Sequence, residues 1–375
     1  MKKNLLVLFF CFQSLFFIPA TAQEYVRGIK PGDFEWKLIG RVFFDGGYFF
    51  GDSTSLGNSF QVNDIRLGTQ IRFLDDWEAK IELGYGDSKV SLKDVYLGYK
   101  TGAHVFKLGH QYEPFGYSRV GTANYRFMTN APSEKALGNK RKLGITYCYN
   151  RTWLNVMTGV FSEGEIEKSK PLDQGYSLAG KIIGRPLMGD RKLIHIGIAP
   201  KFISGSKEVN LSAGIPTDLL ASDKNAFVKA NVGQIINQWK LDMEIILLYH
   251  KWYFQGQYFQ VYLNRFGVSN YKVGGGYAQA GYLILGEKHN YNPATGMIGN
   301  PAPKSLEVLF RYDRVDLNNV GIQGGRMSDF SLGMNYFINK YVAAKINYTY
   351  LTVGHHAPGG DDDFGLLQAR VQFSF

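Results

Sequence analysis

The sequence predicts an all-β fold, a transmembrane antiparallel β-barrel of 16 strands. Three observations lead there. Apolar and polar side chains alternate at period two through most of the chain, an export segment opens it, and no apolar run after residue 22 approaches 18 residues. A soluble sandwich of two sheets would alternate as well. The distribution of charge favours the barrel. A Lys or Arg turned towards lipid near the midplane costs about 2–4 kcal/mol, and charges here almost never fall on the apolar side of a segment.

At the amino terminus, Lys2 and Lys3 precede the apolar run Leu5 to Ile18, which is followed by Pro19 and Ala20-Thr21-Ala22. This is the pattern of a secretory signal peptide, residues 1–22, with cleavage expected after Ala22. The run is too short for a spanning helix, which needs roughly 20 residues. Cys11 lies inside it, which argues against a lipid-modified cysteine. Residues 23–375 are then a single barrel, because no linker, charge block or low-complexity stretch divides them.

Removing the signal takes two lysines and no acid, so the net charge falls from +10 to +8. A basic chain suggests nucleic acid, but an exported one seldom meets it; anions that reach a cell surface are the expected partners. Only Cys148 remains, so no intramolecular disulfide is available.

The strands follow in order. Phe34, Trp36, Leu38, Val42 and Phe44 share one face, and Glu35, Lys37, Arg41 and Asp45 the other. Asn63, Ile65, Leu67, Thr69, Ile71 and Phe73 oppose Asp64, Arg66, Gln70 and Arg72. Trp77, Ala79, Ile81, Leu83 and Tyr85 oppose Glu78, Lys80 and Glu82. The same sorting sets Trp239 to Tyr249 against Lys240, Asp242 and Glu244, and Val342 to Tyr350 against Lys345, Asn347 and Thr349. In the last twelve residues, Leu367, Ala369, Val371, Phe373 and Phe375 oppose Gln368, Arg370, Gln372 and Ser374. Aromatics gather towards strand ends, as interfacial girdles require.

A first count gives seventeen segments, beginning near residues 34, 60, 77, 92, 103, 142, 152, 175, 192, 225, 238, 253, 275, 304, 327, 341 and 364. Single-chain bacterial barrels have even strand numbers, short periplasmic turns and longer external loops. Counting back from the last strand, a separate strand at 225–233 would put the long 203–224 stretch on the periplasmic side. Folding that segment into its loop and the following strand leaves sixteen, with short turns near 74–76, 100–103, 150–152 and 184–191. One long stretch, Lys288 to Pro303, still falls on the periplasmic side. Sixteen strands leave room for an aqueous bore.

Five stretches together resemble the phosphate-selective porin O and P family. They are KLGHQYEPFG (Lys107 to Gly116), GGGYAQAGYLILGE (Gly274 to Glu287), LEVLFRYDRVD (Leu306 to Asp316), LGMNY (Leu332 to Tyr336) with INYTY (Ile346 to Tyr350), and the final strand. The resemblance implies a homotrimeric porin of the bacterial outer membrane, a 16-strand barrel with inward-folded loops that narrow the lumen. It also implies a long periplasmic turn bent into the barrel, which matches Lys288 to Pro303. Anion passage along rows of arginine and lysine is implied by the family; mixed luminal charge is the departure from it.

Selectivity is set where a pore is narrowest, because a fixed charge there is least screened. The third external loop, from about Tyr112 to Arg141, is the expected constriction. With the residue at its downstream edge it carries Arg119, Arg126, Lys135, Lys140, Arg141 and Lys142 against Glu113 and Glu134. A solvated basic loop against the phosphates of lipopolysaccharide is the plainer reading. On the wall, Arg41, Arg66 and Arg72 are the expected column; the wall-facing set also includes Lys107, Lys181 and Lys201 together with Asp64, Glu78, Glu82, Asp94, Asp242 and Glu244, many of them expected as cross-strand pairs. Guanidinium groups suit phosphate geometry.

The expected cargo is phosphate, polyphosphate or another small anion. Neutralising Arg126, Arg141 and Lys142 together is expected to shift selectivity towards cations. A general diffusion pore is the alternative, and an outer-membrane hydrolase a remoter one, since the seven histidines show no telling spacing relative to Ser or Asp. His355, His356 and Asp361 to Asp363 match no closed zinc pattern. No cofactor or metal is implied.

Overall fold

The structure is a computed structural model describing residues 26–27, 34–52, 56–86, 89–117, 126–138, 140–164, 174–217, 219, 226–354, 356–357 and 360–375. The export segment and its cleavage site lie outside the described residues, as do Arg119 and His355.

Sixteen strands form one closed antiparallel barrel. They are β1 (Phe34–Phe50), β2 (Ser59–Phe73), β3 (Trp77–Gly86), β4 (Lys89–Thr101), β5 (His104–Tyr112), β6 (Arg141–Asn150), β7 (Leu154–Ser162) and β8 (Tyr176–Met188). The second half comprises β9 (Lys192–Ser204), β10 (Ile235–Tyr249), β11 (Trp252–Arg265), β12 (Tyr271–Leu285), β13 (Ser305–Asn319), β14 (Ile322–Phe337), β15 (Val342–Gly354) and β16 (Asp362–Ser374). Each strand pairs with its sequence neighbours. The ring closes where β1 meets β16, from Arg41 opposite Ser374 to Phe50 opposite Gly365. Gly40 and Phe375 exchange two backbone hydrogen bonds of 3.0 Å, so the last residue belongs to the ladder. Closure removes every sheet edge, which lipid demands because it offers no partners to an open one.

Alternation becomes a lipid-facing surface. Phe44, Tyr85, Leu108, Ile145, Ile182, Met243, Phe310, Leu332 and Tyr348 all lie open on the outer wall. Among the described residues no helix is long and apolar enough to cross a membrane; the strands do the crossing.

Three details depart from or sharpen the sequence reading. The segment at 225–233 forms no wall strand: Val228–Val232 pairs with Val209–Ala213 as a hairpin within the fifth external loop. Asn63 faces the lumen, not lipid. A bulge breaks the β1–β2 register between Val42 and Phe44, turning both Asn63 and Asp64 inward, and the Asn63 amide donates to Asp45 at 2.7 Å. The upper ends of β12 and β14 begin at Tyr271 and Ile322, several residues earlier than alternation shows. Their inward side chains there are apolar, Tyr271, Val273 and Met327, so the wet face loses its polar signature.

The turn between β2 and β3 places Leu74 and Asp75 at φ of 50° and 57°. Two positive φ values fit the twist of a tight hairpin, but a Cβ in that region costs about 1–2 kcal/mol per residue. Asp75→Gly is therefore expected to raise the barrel's stability by about 1 kcal/mol. Urea titration of the refolded barrel in vesicles measures this; an unchanged midpoint would show that the turn is unstrained.

Candidate functional site

The lumen is divided into a packed side and a wet side. Three segments enter it: the described parts of the third external loop (113–117 and 126–138) with its short helix α1 (Pro132–Leu137), the hairpin of the fifth loop, and the long periplasmic turn (286–304). α1 packs against β11, β12, β13 and the hairpin, and the hairpin against β13 and β14. Leu211, Phe227, Val228 and Val232 of the hairpin and Phe115 and Leu137 of the third loop form one apolar cluster with Phe259, Leu263, Val315, Leu351, Phe364 and Leu366 of the wall. Each large side chain so buried contributes about 1.5–3 kcal/mol, which holds the insert against β11 to β16.

Below that cluster the contacts are polar. Arg370 of β16 holds Asp45 of β1 through two bonds of 2.6 and 2.5 Å and donates to the Met128 carbonyl of the third loop at 2.6 Å. Arg311 donates to the Thr129 carbonyl, and Asp313 accepts from the Ser133 backbone and hydroxyl. Lys201 meets Glu113 at 2.5 Å, and Lys181 bonds both the Gly116 carbonyl and Glu244. From the periplasmic side Tyr291 bonds His195 at 2.8 Å, and the Pro293 carbonyl accepts from Asn155 and Arg185. Burial first, and then the nearby Arg126, push the His289 imidazole of this turn down to about 3, so it stays neutral.

The wet side is the wall of β1 to β6. Its charges are linked across strands. Arg41 and Arg66 stand directly opposite one another. Asp64 lies between them, accepting from Arg41 at 2.5 and 3.0 Å and from Arg66 at 3.0 Å. Arg66 lies 3.6 Å from Glu82, Glu82 is 2.8 Å from Lys80, Lys80 is 2.7 Å from Asp94, and Asp94 is 2.5 Å from Arg141. Lys107 pairs with Glu78 at 3.0 Å, with its ammonium 4.1 Å from the Tyr96 ring centre. These two side chains are about a third exposed, the Asp64 side chain a quarter, and those of Arg66 and Glu82 about a tenth. The inward charges of β10 to β14, such as Asp242, Glu307 and Asp329, are sealed from water.

The expected site residues thus fall into separate places. Arg41, Arg66, Lys107, Arg141 and Lys142 are on the wet wall; Lys142 pairs with Glu163. Burial opposes ionisation of Glu163, and the Lys142 ammonium more than offsets it, holding the carboxyl below its usual range. Arg72 is exposed at the periplasmic end, opposite Glu35. Lys140 is exposed at the loop's exit, and Lys135 on α1 donates to the Thr217 carbonyl at 3.3 Å. Arg126 is buried: it pairs with Glu307 at 3.3 Å and donates to the Gly299 carbonyl of the periplasmic turn at 2.6 Å. Among the described residues no cluster of His, Cys, Asp and Glu is placed to hold a metal ion.

Sequence reasoning passed over Arg370 as a strut and the apolar residues that seat the plug. Phe364 and Leu366 carried a signal for the latter: they continue the polar face of β16, and a greasy residue on a wet face implies something inside the barrel to cover it.

A closed barrel with a lipid-facing apolar belt, a charged wet wall and loops folded into its bore is an outer-membrane channel of the porin class. The family model for phosphate-selective porin O and P matches residues 37–375, and the chain belongs to that family. It is similar in fold to the outer membrane channel DcaP of Acinetobacter baumannii (12% identity, 93% of this chain and 100% of that one, TM-score 0.61). An anion-selective porin from Comamonas acidovorans (13%, 92% and 100%, 0.59) and the trimer form of OmpT, an outer membrane protein of Vibrio cholerae (12%, 92% and 100%, 0.56), share the fold. An uncharacterized protein of Caulobacter vibrioides is 21% identical over 370 residues, covering 92% of this chain and 75% of that one. The protein is accordingly an outer-membrane porin, and its family points to a channel and not to an enzyme.

Proposed function

We propose that the protein works as a homotrimer and passes phosphate or other small anionic solutes down their gradient along the β1 to β6 wall. The observation that carries this reading is the linked row from Arg41 to Arg141 on the β1 to β6 wall, in which four cations alternate with three carboxylates; Asp64, Arg66, Glu82 and Arg141 reach water, while Arg41, Lys80 and Asp94 are buried behind them. The residual positive charge draws anions, and no cation on the row stands alone to trap one. Arg141 and Lys142 extend the positive field towards the external mouth, while Arg126, paired with Glu307 on the packed side, holds the inserted loop in place. The family and the Comamonas neighbour, described as anion-selective, support the sign. The trimer form of the Vibrio protein supports the assembly. The same pairing of charges favours the second reading, a general diffusion pore with little preference. The signal peptide and contact with outer-leaflet lipopolysaccharide complete the proposal.

Reversal potential in a planar bilayer under a potassium chloride gradient tests it. Wild-type protein is expected to prefer chloride, and Arg141→Gln with Lys142→Gln to lower the anion-to-cation permeability ratio by about twofold or more, the effect of a unit charge at some 8 Å in water. A wild-type pore that prefers potassium would overturn the anion reading.

A further inference from the structure

We propose that Asp64, Glu82 and Asp94 are the residues that tune this pore's selectivity, by occupying the donors with which its cations would otherwise hold an oxyanion. This rests on the anion-passing reading above and adds that phosphate crosses the wall without a retaining site. A guanidinium binds phosphate by offering two N–H groups in a fork. Here the Arg41 fork is taken: two bonds from Arg41 and one from Arg66 end on Asp64. Glu82 lies between Arg66 and Lys80, and Asp94 between Lys80 and Arg141. Each carboxylate therefore sits between two cations, the position a bridging phosphate oxygen would take; Asp64 and Glu82 do so within reach of water and Asp94 behind them in a buried setting.

A phosphate ion entering from bulk has to displace a competitor tethered to the wall. Tethering gives the carboxylate an effective concentration of about millimolar or above, so dilute phosphate loses. What remains is the field of the uncompensated cation, which raises local anion concentration without a fixed stopping point. Side-chain direction makes the arrangement possible. The β-bulge in β2 turns Asp64 and Asn63 to the lumen together, and a second register shift, between Ile81 and Leu83 of β3, occurs beside Asp94 in β4.

The test uses the full-length protein reconstituted in a planar bilayer, with inorganic phosphate as the probe. Asp64→Asn is expected to raise the anion-to-cation permeability ratio about twofold. It is also expected to make phosphate occlude the chloride current at concentrations that leave wild-type current untouched. Glu82→Gln and Asp94→Asn are expected to act in the same direction, and Lys80→Met in the opposite one. A purely structural role would not give opposite signs. Folding is checked by the heat-dependent gel shift of the barrel; if one variant fails to assemble, the other two acid variants carry the same readout. Phosphate occlusion of the wild-type pore at low concentration would overturn the proposal, as would assembled acid variants with the wild-type ratio and no occlusion. A cation-preferring wild-type pore would instead defeat the underlying anion reading.

Discussion

Replacing Arg370 with alanine is expected to destabilise the barrel by about 3–5 kcal/mol, the usual result of leaving a buried carboxylate without its partner. Asp45 is nearly sealed from water, and both of its oxygens are held by the Arg370 guanidinium, which also lies 4.3 Å from the Phe43 ring centre. The substitution breaks three attachments together: the β16–β1 seam, the stacking on Phe43, and the bond to the Met128 carbonyl that fixes the third loop. Urea titration followed by tryptophan fluorescence measures the loss. Arg370→Lys keeps the charge without the fork and should fall between the two. An alanine variant as stable as the parent would mean that the seam is held by backbone bonds alone.

Arg126→Ala is expected to have an effect of the same size, about 3–5 kcal/mol, with a different functional signature. Arg126 joins the third loop, Glu307 of the wall and the Gly299 carbonyl of the periplasmic turn. Asn335 completes the group, donating to the Arg126 carbonyl at 2.8 Å and to Glu307 at 3.2 Å. Without the guanidinium, the two inserted segments lose their mutual bond. Single-channel conductance should therefore rise, while the anion-to-cation permeability ratio changes little because the group lies away from the wet wall. A large change in ratio at constant conductance would instead place Arg126 on the path of the ions.

Strand number and direction were legible in the sequence because lipid imposes a strict rule on every outward side chain. Trp77 to Tyr85 and Val342 to Tyr350 show it without exception, and parity alone excluded the segment at 225–233 from the wall. The rule weakens wherever the inner face stops being wet. Phe259, Val273 and Leu317 point inward and are apolar because loops cover them. Alternation cannot tell such a position from a run buried on both sides. The bulge at Asn63 was hidden for a related reason: one extra residue reverses the faces, and an Asn is tolerated on either side of such a guess.

The site was legible as a set of residue types and illegible as a set of partnerships. Arg41, Arg66 and Lys107 could be placed on the wet face from parity, but pairing Arg126 with Glu307, 181 positions along the chain, depends on how a loop crosses the bore. Basic residues in the third loop read alike in sequence. Folding separates them into the buried strut Arg126, the wall-associated Arg141 and Lys142, and the exposed Lys140.

The hairpin of Val209–Ala213 and Val228–Val232 is a two-stranded sheet of its own, outside the hydrogen-bond ladder of the barrel. Cylinder and stopper are then separable problems in design. Recutting the stopper would change how much of the bore stays open while the oil-facing shell, and with it insertion into the bilayer, stays as it is.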